Sequence, residues 1–383
     1  MSVRQILKLH KQFVDNKVLL IKRFCDAYES SHYWWCRTFL KHVELDGKLV
    51  GNGKPCYFIA EIGSLFRNFE EAKRLIDSAI DIEIDAIKFQ TFEANTITTK
   101  NNLFNMENTG KTSQYDLFKN CEISKELQME VVNYANNKGI TVFSAPSHIK
   151  DLDIMKKMNI PIYKIGSDLA CHIPLLEEVG NIGKPIILST GMCTLEEIRT
   201  SIETILSTGN EQLIILHCVS DYPNKPEETN LNAILTLKKE FDLPVGFSDH
   251  NIGWSISFGA VSMGANLIER HFRDPNNTPA PDDIVALDKE QFSSLIRSTR
   301  LIEKAKGNGV KNPTLSEKNN LTTNRVSIIA MTEIKTGQTI TEELIDIRRP
   351  GTGIQPIHFD SIIGKKAKVN IPKEKPLTFD MIE

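Results

Sequence analysis

The chain of 383 residues carries a formal net charge of −3, with 40% hydrophobic and 25% charged residues. This composition is typical of a globular protein with a sizeable core, and the length allows one large domain plus a small one. No basic run indicates a nucleic acid or an anionic membrane as a partner. The longest early apolar stretch, residues 18–21, is too short for a signal sequence or a membrane span.

The seven cysteines are scattered, odd in number and without a CxxC pair. This pattern is typical of reduced thiols in the cytoplasm, and it argues against a disulfide framework or a structural zinc site. We therefore expect a cytoplasmic protein with no membrane and no nucleic-acid partner.

Residues 1–42 are predicted to form an N-terminal extension separate from the main domain. Apolar residues such as Ile6, Phe13 and Leu20 allow an amphipathic helix, and aromatic residues are dense at 33–39. We expect this extension to pack on the main domain or on a neighbouring subunit. The sequence indicates no chemistry for it.

Short apolar runs alternate with helix-length amphipathic segments from residue 57 to residue 272. Segments such as 68–80 and 194–206 carry acidic residues in their first turn and apolar residues at helical spacing, and Thr194 and Ser147 are predicted N-caps. Eight strands alternating with helices over about 250 residues predict an α/β fold, a (β/α)8 or TIM barrel over residues 43–303. A doubly wound open sheet is the alternative, but it would show fewer strands and a glycine-rich first turn. The predicted strands are 57–63, 86–90, 141–146, 163–167, 185–190, 213–220, 244–250 and 267–272.

Beyond residue 303 the sequence becomes polar. Residues 304–324 are rich in Gly, Asn, Thr and Lys and are predicted to be a linker. A small second domain follows over 325–383, in which residues 334–345 are echoed by residues 371–382. The echo indicates a compact pseudo-symmetric module, too small to hold a deep catalytic pocket alone.

Two histidines, His250 and His271, end the last two apolar runs. The C-terminal ends of all strands of a parallel barrel open on the face that carries the chemistry, so these imidazoles should be neighbours there, flanked by Asp249 and Glu269. The pair indicates a metal site. On these residues alone, two hydrogen-bonded histidines at the barrel rim remain an equal alternative.

Two lysines, Lys88 and Lys164, lie inside otherwise apolar strands. One such lysine usually extends its ammonium group to the surface, but two are hard to explain structurally. With the hydroxyl groups at the strand ends they predict a cradle for phosphate and carboxylate. The other polar residues near the strand ends are Glu61, Gln90, Ser144, Ser167, Ser189, Ser220, Tyr222 and Ser248.

The motifs AEIG, IKFQT, YKIGS, LSTGM, HCVSDYP, FSDHNIG, ERHF and PAPD occur in the order and spacing of the sialic acid synthase family, which the chain resembles over about residues 43–383. The RRPG of the tail resembles the antifreeze-protein-like (SAF) domain that ends those enzymes. The resemblance implies condensation of phosphoenolpyruvate with an N-acetylated hexosamine, typically N-acetylmannosamine, to give a nine-carbon sialic acid and phosphate. It also implies a divalent metal, Mn²⁺ before Mg²⁺ or Co²⁺, and a domain-swapped homodimer.

The same resemblance implies a role for each matching residue. Glu61, Lys88, Lys164 and Glu269 are the implied catalytic residues, and Glu269 would sit beside a metal-bound water. His250 and His271 would be the metal ligands. Lys88, Lys164, Ser167, Ser189 and Ser248 would hold the phosphate and carboxylate of phosphoenolpyruvate, while Glu61, Gln90, Tyr222 and Asp282 would contact the amino sugar. Arg349 of RRPG would bind the N-acetyl group in the partner subunit's site.

Three positions depart from the family pattern: the loop 64–68, Ala145 in place of a threonine, and Ser220 in place of an asparagine. Loss of one neutral hydrogen bond at Ala145 costs about 0.5–1.5 kcal/mol, which would not abolish activity. Asp282 favours the sialic and legionaminic acid branches over the pseudaminic one. The alternatives are therefore a legionaminic or pseudaminic acid synthase, a weakened relative that binds a sugar or a partner protein, and a phosphoenolpyruvate-dependent synthase of 3-deoxy sugar acids, which would lack the RRPG tail.

Overall fold

The computed structural model describes residues 42–106 and 109–383. The predicted N-terminal extension, apart from His42, lies outside these residues. The chain divides into two compact units between Lys306 and Gly307. Within the described residues, no helix is both long and apolar enough to cross a membrane.

The first unit contains a closed barrel of eight parallel strands, as predicted. The strands of this unit are β1 (His42–Leu45), β2 (Lys48–Gly51), β3 (Tyr57–Glu61), β4 (Ala86–Thr91), β5 (Leu103–Met106), β6 (Gly110–Ser113), β7 (Thr141–Pro146), β8 (Tyr163–Ile165), β9 (Ile186–Ser189), β10 (Leu213–Cys218), β11 (Val245–Ser248) and β12 (Leu267–His271). Two antiparallel hairpins, β1–β2 and β5–β6, are separate from the barrel. The other eight strands follow one another around it in chain order, and β12 pairs with β3 to close it.

The register of the barrel places polar residues side by side at its C-terminal end. His271 pairs with Glu61, Glu61 pairs with Lys88, and Ser248 pairs with Glu269. Every residue of β3, β10 and β12 is buried. Strands that are covered on both faces leave only their ends for chemistry.

Helices connect the barrel strands on the outside. Asn68 caps the helix Phe69–Asp81, and Thr194 caps the helix Leu195–Ser207 in a reciprocal capping box with Glu197, so the two predicted helical segments are confirmed. The helices of this unit are α1 (Phe69–Asp81), α2 (Ala94–Ile97), α3 (Gln114–Cys121), α4 (Lys125–Lys138), α5 (Leu152–Lys157), α6 (Ile173–Ile182), α7 (Leu195–Ser207), α8 (Pro226–Thr229), α9 (Asn232–Phe241), α10 (Ser255–Ser262) and α11 (Lys289–Ala305).

The second unit, residues 307–383, is built around the predicted internal repeat. Ile334 and Ile371, which are equivalent in the two copies, exchange backbone hydrogen bonds of 2.9 and 2.8 Å. Further equivalent residues, Ile340 with Leu377 and Ile345 with Ile382, are buried in one apolar core. The elements are α12 (Lys318–Thr323), β13 (Ser327–Ala330), β14 (Ile345–Arg348) and α13 (Phe359–Ile362). The predicted linker 304–324 thus contains a short helix.

Candidate active site

One cavity of about 400 Å³ opens at the C-terminal ends of the barrel strands. It brings together every residue for which the family resemblance implies a role except Arg349, which belongs to the second unit. Ser144, predicted from its place near a strand end, does not line the cavity, and its Oγ hydrogen-bonds with Thr91 Oγ1 at 2.7 Å. The role of Arg349 in a partner's site stays a prediction. The predicted residues that line the cavity are Glu61, Lys88, Gln90, Lys164, Ser167, Ser189, Tyr222, Ser248, His250, Glu269, His271 and Asp282.

Glu269 lies between the two predicted lysines. Its Oε1 accepts a hydrogen bond of 3.0 Å from Ser248 Oγ and lies 3.6 Å from Lys88 Nζ and 3.7 Å from Lys164 Nζ. Burial alone would raise the pKa of Glu269, but the ammonium groups of Lys164 and Lys88 outweigh it and lower the pKa to about 2. Glu269 is therefore a carboxylate at neutral pH.

Lys88 forms an ion pair with Glu61 as well as with Glu269. Burial lowers the pKa of Lys88 to about 8, although the Glu269 carboxylate opposes this change. Lys88 consequently keeps its charge at neutral pH. The other oxygen of Glu61 accepts the backbone N–H of Gly63, and a side chain at Gly63 would collide with Glu61 and Gln90.

Lys164 is held by its own strand and the next one. Its Nζ donates to Ser189 Oγ at 2.7 Å and to the carbonyl of Ile165 at 3.1 Å. One loop further out, the N–H of Gly191 donates to Ser167 Oγ at 2.9 Å. Two buried ammonium groups surrounded by hydroxyl groups make this side of the cavity suited to a phosphate or carboxylate.

The two histidines lie at the ends of the adjacent strands β11 and β12, with ring centroids 5.6 Å apart. His250 Nδ1 donates to the Val219 carbonyl at 2.8 Å, which places the lone pair of the neutral imidazole on Nε2. Burial lowers the pKa of His250, but the Cys218 sulfur and the Val219 carbonyl outweigh it and raise the pKa. Burial and the neighbouring His250 hold the pKa of His271 well below its ordinary value, so this imidazole is neutral.

Asp282 and Tyr222 close the cavity beside the histidines. Asp282 Oδ2 accepts a hydrogen bond of 2.6 Å from Ser64 Oγ and lies 3.8 Å from His271 Nδ1. The Tyr222 ring packs on His250 with centroids 4.1 Å apart. Burial raises the pKa of Tyr222 well above its ordinary value, so the phenol keeps a proton to donate.

The histidine pair fits a divalent metal held by two protein ligands. The backbone carbonyl that fixes the tautomer of His250 is a common support for a metal-binding imidazole. Among the residues that the structure describes, the buried Nδ1 of His271 has no hydrogen-bond partner. Within residues 42–106 and 109–383, no group of three or more His, Cys, Asp or Glu side chains that could hold a metal is assembled. Two imidazole ligands would leave several coordination positions of such a metal for water or substrate.

Asp249, expected to flank the imidazoles, does not line the cavity. Its side chain is fully buried behind the cavity, where Oδ2 pairs with Arg270 Nη1 at 2.7 Å. Alternating side chains of a strand point to opposite faces, so the residue before each histidine faces away from the site. The two partners therefore join the ends of β11 and β12 as a structural pair.

The insertion between β4 and α4 adds an apolar wall that the sequence pattern did not predict. Phe92, Phe104 and Phe118 line the cavity. The ring of Phe118 contacts the rings of Phe92 and Phe104 edge to face, with ring centroids 5.7 Å apart in each pair. The concentration of phenylalanines at 92–118 was the available signal. Ser64, Ala145 and Ser220, from the three departures, also line the cavity, so each of them can influence what binds there.

The closed barrel and the charged cavity at its strand ends define the class: a TIM barrel whose site combines buried cations, acids and two histidines. The chain belongs to the NeuB family, whose model matches residues 75–311, and residues 325–383 match the SAF domain. The predicted resemblance to sialic acid synthases and the predicted architecture are thereby confirmed.

The chain matches its named relatives over nearly their whole length. The chain is 34% identical to N,N'-diacetyllegionaminic acid synthase of Legionella pneumophila, over 87% of this chain and 96% of the relative. It is 29% identical to N-acetylneuraminate-9-phosphate synthase of Mus musculus, over 88% and 95%. The crystal structure of N-acetylneuraminic acid synthetase from Leptospira borgpetersenii matches with a TM-score of 0.65 and 30% identity, over 74% of this chain and 95% of that one. These relatives are synthases of nonulosonic acids.

Proposed function

We propose that the chain condenses phosphoenolpyruvate with an N-acetylated hexosamine, N-acetylmannosamine in the first instance, to give a nine-carbon 2-keto sugar acid and phosphate. The observation that carries the proposal is one cavity in which two buried lysines face Glu269 and two histidines lie beside them. A backbone carbonyl fixes the tautomer of His250, and His271 is neutral. The synthase names of the relatives favour an enzyme over a weakened sugar-binding protein.

The lysine side of the cavity is suited to the phosphate and carboxylate of phosphoenolpyruvate. Lys164, Ser189 and Ser167 provide donors there, and Lys88 provides a second ammonium group. An anion bound to these ammonium groups offsets the positive charge that lowers the pKa of Glu269. The pKa of Glu269 therefore rises when substrate binds, which makes it a stronger base in the complex than in the free enzyme.

The proposed reaction forms one carbon–carbon bond and one carbon–oxygen bond, and it breaks the bond between C2 of phosphoenolpyruvate and the bridging oxygen. C3 of phosphoenolpyruvate bonds to the aldehyde carbon of the open-chain sugar, and the aldehyde oxygen takes up a proton. Water adds at C2, and phosphate leaves with the bridging oxygen. Glu269 accepts the proton of the water, while Tyr222, Gln90 and Asp282 orient the sugar. A divalent metal, Mn²⁺ before Mg²⁺ or Co²⁺, held by His250 and His271 would polarise the sugar aldehyde.

A second candidate is a legionaminic acid synthase acting on a sugar with two acetamido groups, as the product name N,N'-diacetyllegionaminic acid requires. Two relatives, 34% and 33% identical to the chain, are named N,N'-diacetyllegionaminic acid synthase. The apolar wall of Phe92, Phe104 and Phe118 would suit an additional acetyl methyl group.

The test is phosphate release from phosphoenolpyruvate with Mn²⁺ and a panel of mono- and diacetamido hexosamines. We expect release with one sugar of the panel and none with the sugar omitted. No release with any sugar would contradict the proposal. Release that survives both His250→Ala and His271→Ala would contradict the metal assignment.

We further propose a domain-swapped homodimer that works in the cytoplasm, in which Arg349 completes the partner's site. The test co-expresses two variants that are expected to be inactive, Glu269→Gln, which lacks the proposed base, and Arg349→Ala. If Arg349 acts in trans, half of the randomly assorted dimers carry one intact site, which restores about a quarter of wild-type activity. If Arg349 acts on its own barrel, co-expression restores nothing.

A further inference from the structure

Two thiols face each other beside the cavity. The Sγ atoms of Cys171 and Cys193 are 4.0 Å apart, although 22 residues separate them in the chain. Cys171 is exposed and Cys193 is partly buried, whereas the other cysteines of the described residues, Cys56, Cys121 and Cys218, are buried. The pair is therefore the dithiol that solvent reaches within the part of the chain that the structure describes.

The two thiols lie on two loops that contribute to the cavity. Cys171 follows the 3-10 turn Ser167–Leu169, and Ser167 lines the cavity. Cys193 follows Met192, which also lines the cavity and has a left-handed φ of 62°. The Gly191 N–H to Ser167 Oγ hydrogen bond already joins these loops. Movement of either sulfur is thus transmitted to donors and side chains of the site.

We propose that Cys171 and Cys193 form a reversible disulfide that draws these two loops together and lowers turnover at the cavity under oxidising conditions. A disulfide bond is about 2.05 Å long, so the sulfurs must approach by about 2 Å. Rotation of the side chains and a small shift of the exposed Cys171 loop supply that distance. Reduced cytoplasmic conditions keep the pair open, which makes the bond a transient response rather than a structural staple.

The oxidant is a peroxide, which takes two electrons from the two thiols. The Cys171 sulfur attacks one oxygen of hydrogen peroxide, the O–O bond breaks, and a sulfenic acid and one water form. The Cys193 sulfur then attacks the Cys171 sulfur, the S–S bond forms, and the sulfenic oxygen leaves as a second water. Two thiols lose two protons and two electrons, and the peroxide is reduced to two waters.

The surroundings of the two sulfurs decide which of them is oxidised first. Burial and the neighbouring Cys171 sulfur raise the pKa of Cys193 to about 12, so Cys193 is protonated while Cys171 is reduced. The exposed Cys171 therefore meets the oxidant first. Once Cys171 is oxidised, Cys193 is the resolving thiol, because its sulfur lies 4.0 Å from that of Cys171.

The test treats the full-length protein with hydrogen peroxide, blocks free thiols with iodoacetamide and digests the protein with trypsin. Because Lys184 precedes Pro185, trypsin leaves both cysteines on one peptide, residues 165–199. We expect this peptide to lose two hydrogen masses and to escape alkylation at both cysteines, and dithiothreitol to reverse both changes. Alkylation of both cysteines after peroxide treatment would overturn the proposal. This readout needs no turnover, so it is independent of the proposed function.

Turnover provides the second measurement, with Cys171→Ser and Cys193→Ser as matched controls. Misplacing one hydrogen-bond donor or acceptor at Ser167 should reduce phosphate release by about two- to tenfold in the oxidised wild type. Dithiothreitol should restore phosphate release in the wild type. Neither variant should lose phosphate release in peroxide, because neither can form the disulfide. A disulfide that leaves turnover unchanged, or an equal loss in both variants, would overturn the regulatory role.

Discussion

Replacing Asp249 by asparagine should destabilise the barrel and displace both histidines. Asp249 and Arg270 are fully buried and form an ion pair of 2.7 Å, one residue before His250 and one before His271. Arg270 Nη2 also donates to the carbonyls of Asn251 and Val285, at 2.8 and 2.9 Å, which fixes the guanidinium in place. The pair therefore joins the two strand ends that carry the imidazoles.

The magnitude follows from what Asp249→Asn leaves behind. The guanidinium of Arg270 stays buried without a counter-charge, and breaking a buried pair in this way costs about 3–5 kcal/mol. For a unit of this size each kcal/mol lowers the melting temperature by about 2–4 °C, so the loss should be roughly 6–20 °C. Activity should fall with it, because the two rings lose their common support.

Thermal unfolding followed by circular dichroism measures the effect. Asp153→Asn is the matched control, since Asp153 is exposed on α5 and surface changes alter stability by about 0.5 kcal/mol or less. Asp249→Leu combined with Arg270→Met should be less destabilising than Asp249→Asn, because no unpaired charge remains. A melting temperature for Asp249→Asn that matches the control would refute the reasoning.

Three further predictions concern the cavity itself. Lys164→Met should raise KM for phosphoenolpyruvate by about 10- to 150-fold through loss of a charged hydrogen-bond donor, while Lys156→Met on the surface should leave it unchanged in the same steady-state assay. Gly63→Ala should lower kcat/KM for the sugar by about 5- to 150-fold, because the added methyl group collides with Glu61 and Gln90; a wild-type value would contradict the collision. Removal of divalent metal with EDTA should abolish phosphate release and added Mn²⁺ should restore it, whereas release that is unaffected by EDTA would contradict a metal role.

The fold was predictable because each element carries its own local signal. Eight apolar runs, each followed by an amphipathic helix, permit few arrangements other than a barrel. Caps were predictable where side chain and spacing agree, as at Thr194 with Glu197. The prediction of Ser147 as an N-cap was wrong: His148 caps the following turn, and the N–H of Ser147 instead donates to Asp151.

The site was predictable to the extent that it lies at strand ends. Polar residues that end apolar runs converge in a parallel barrel, which is why Lys88, Lys164 and Glu269 lie together. The orientation of Asp249 could be read only from the alternation along β11, and its partner Arg270 only from the register. The apolar wall comes from the insertion between β4 and α4, and the dithiol comes from two loops. The placement of these segments depends on tertiary contacts rather than on periodicity.

The most direct test of the central claim follows the bridging oxygen of phosphoenolpyruvate. The protein is incubated with Mn²⁺, the accepted N-acetylated hexosamine and phosphoenolpyruvate labelled with ¹⁸O between C2 and phosphorus. Condensation with cleavage of the carbon–oxygen bond predicts ¹⁸O in the released phosphate and a nine-carbon 2-keto acid in the product. Unlabelled phosphate, or phosphate without the nine-carbon acid, would contradict the proposed reaction.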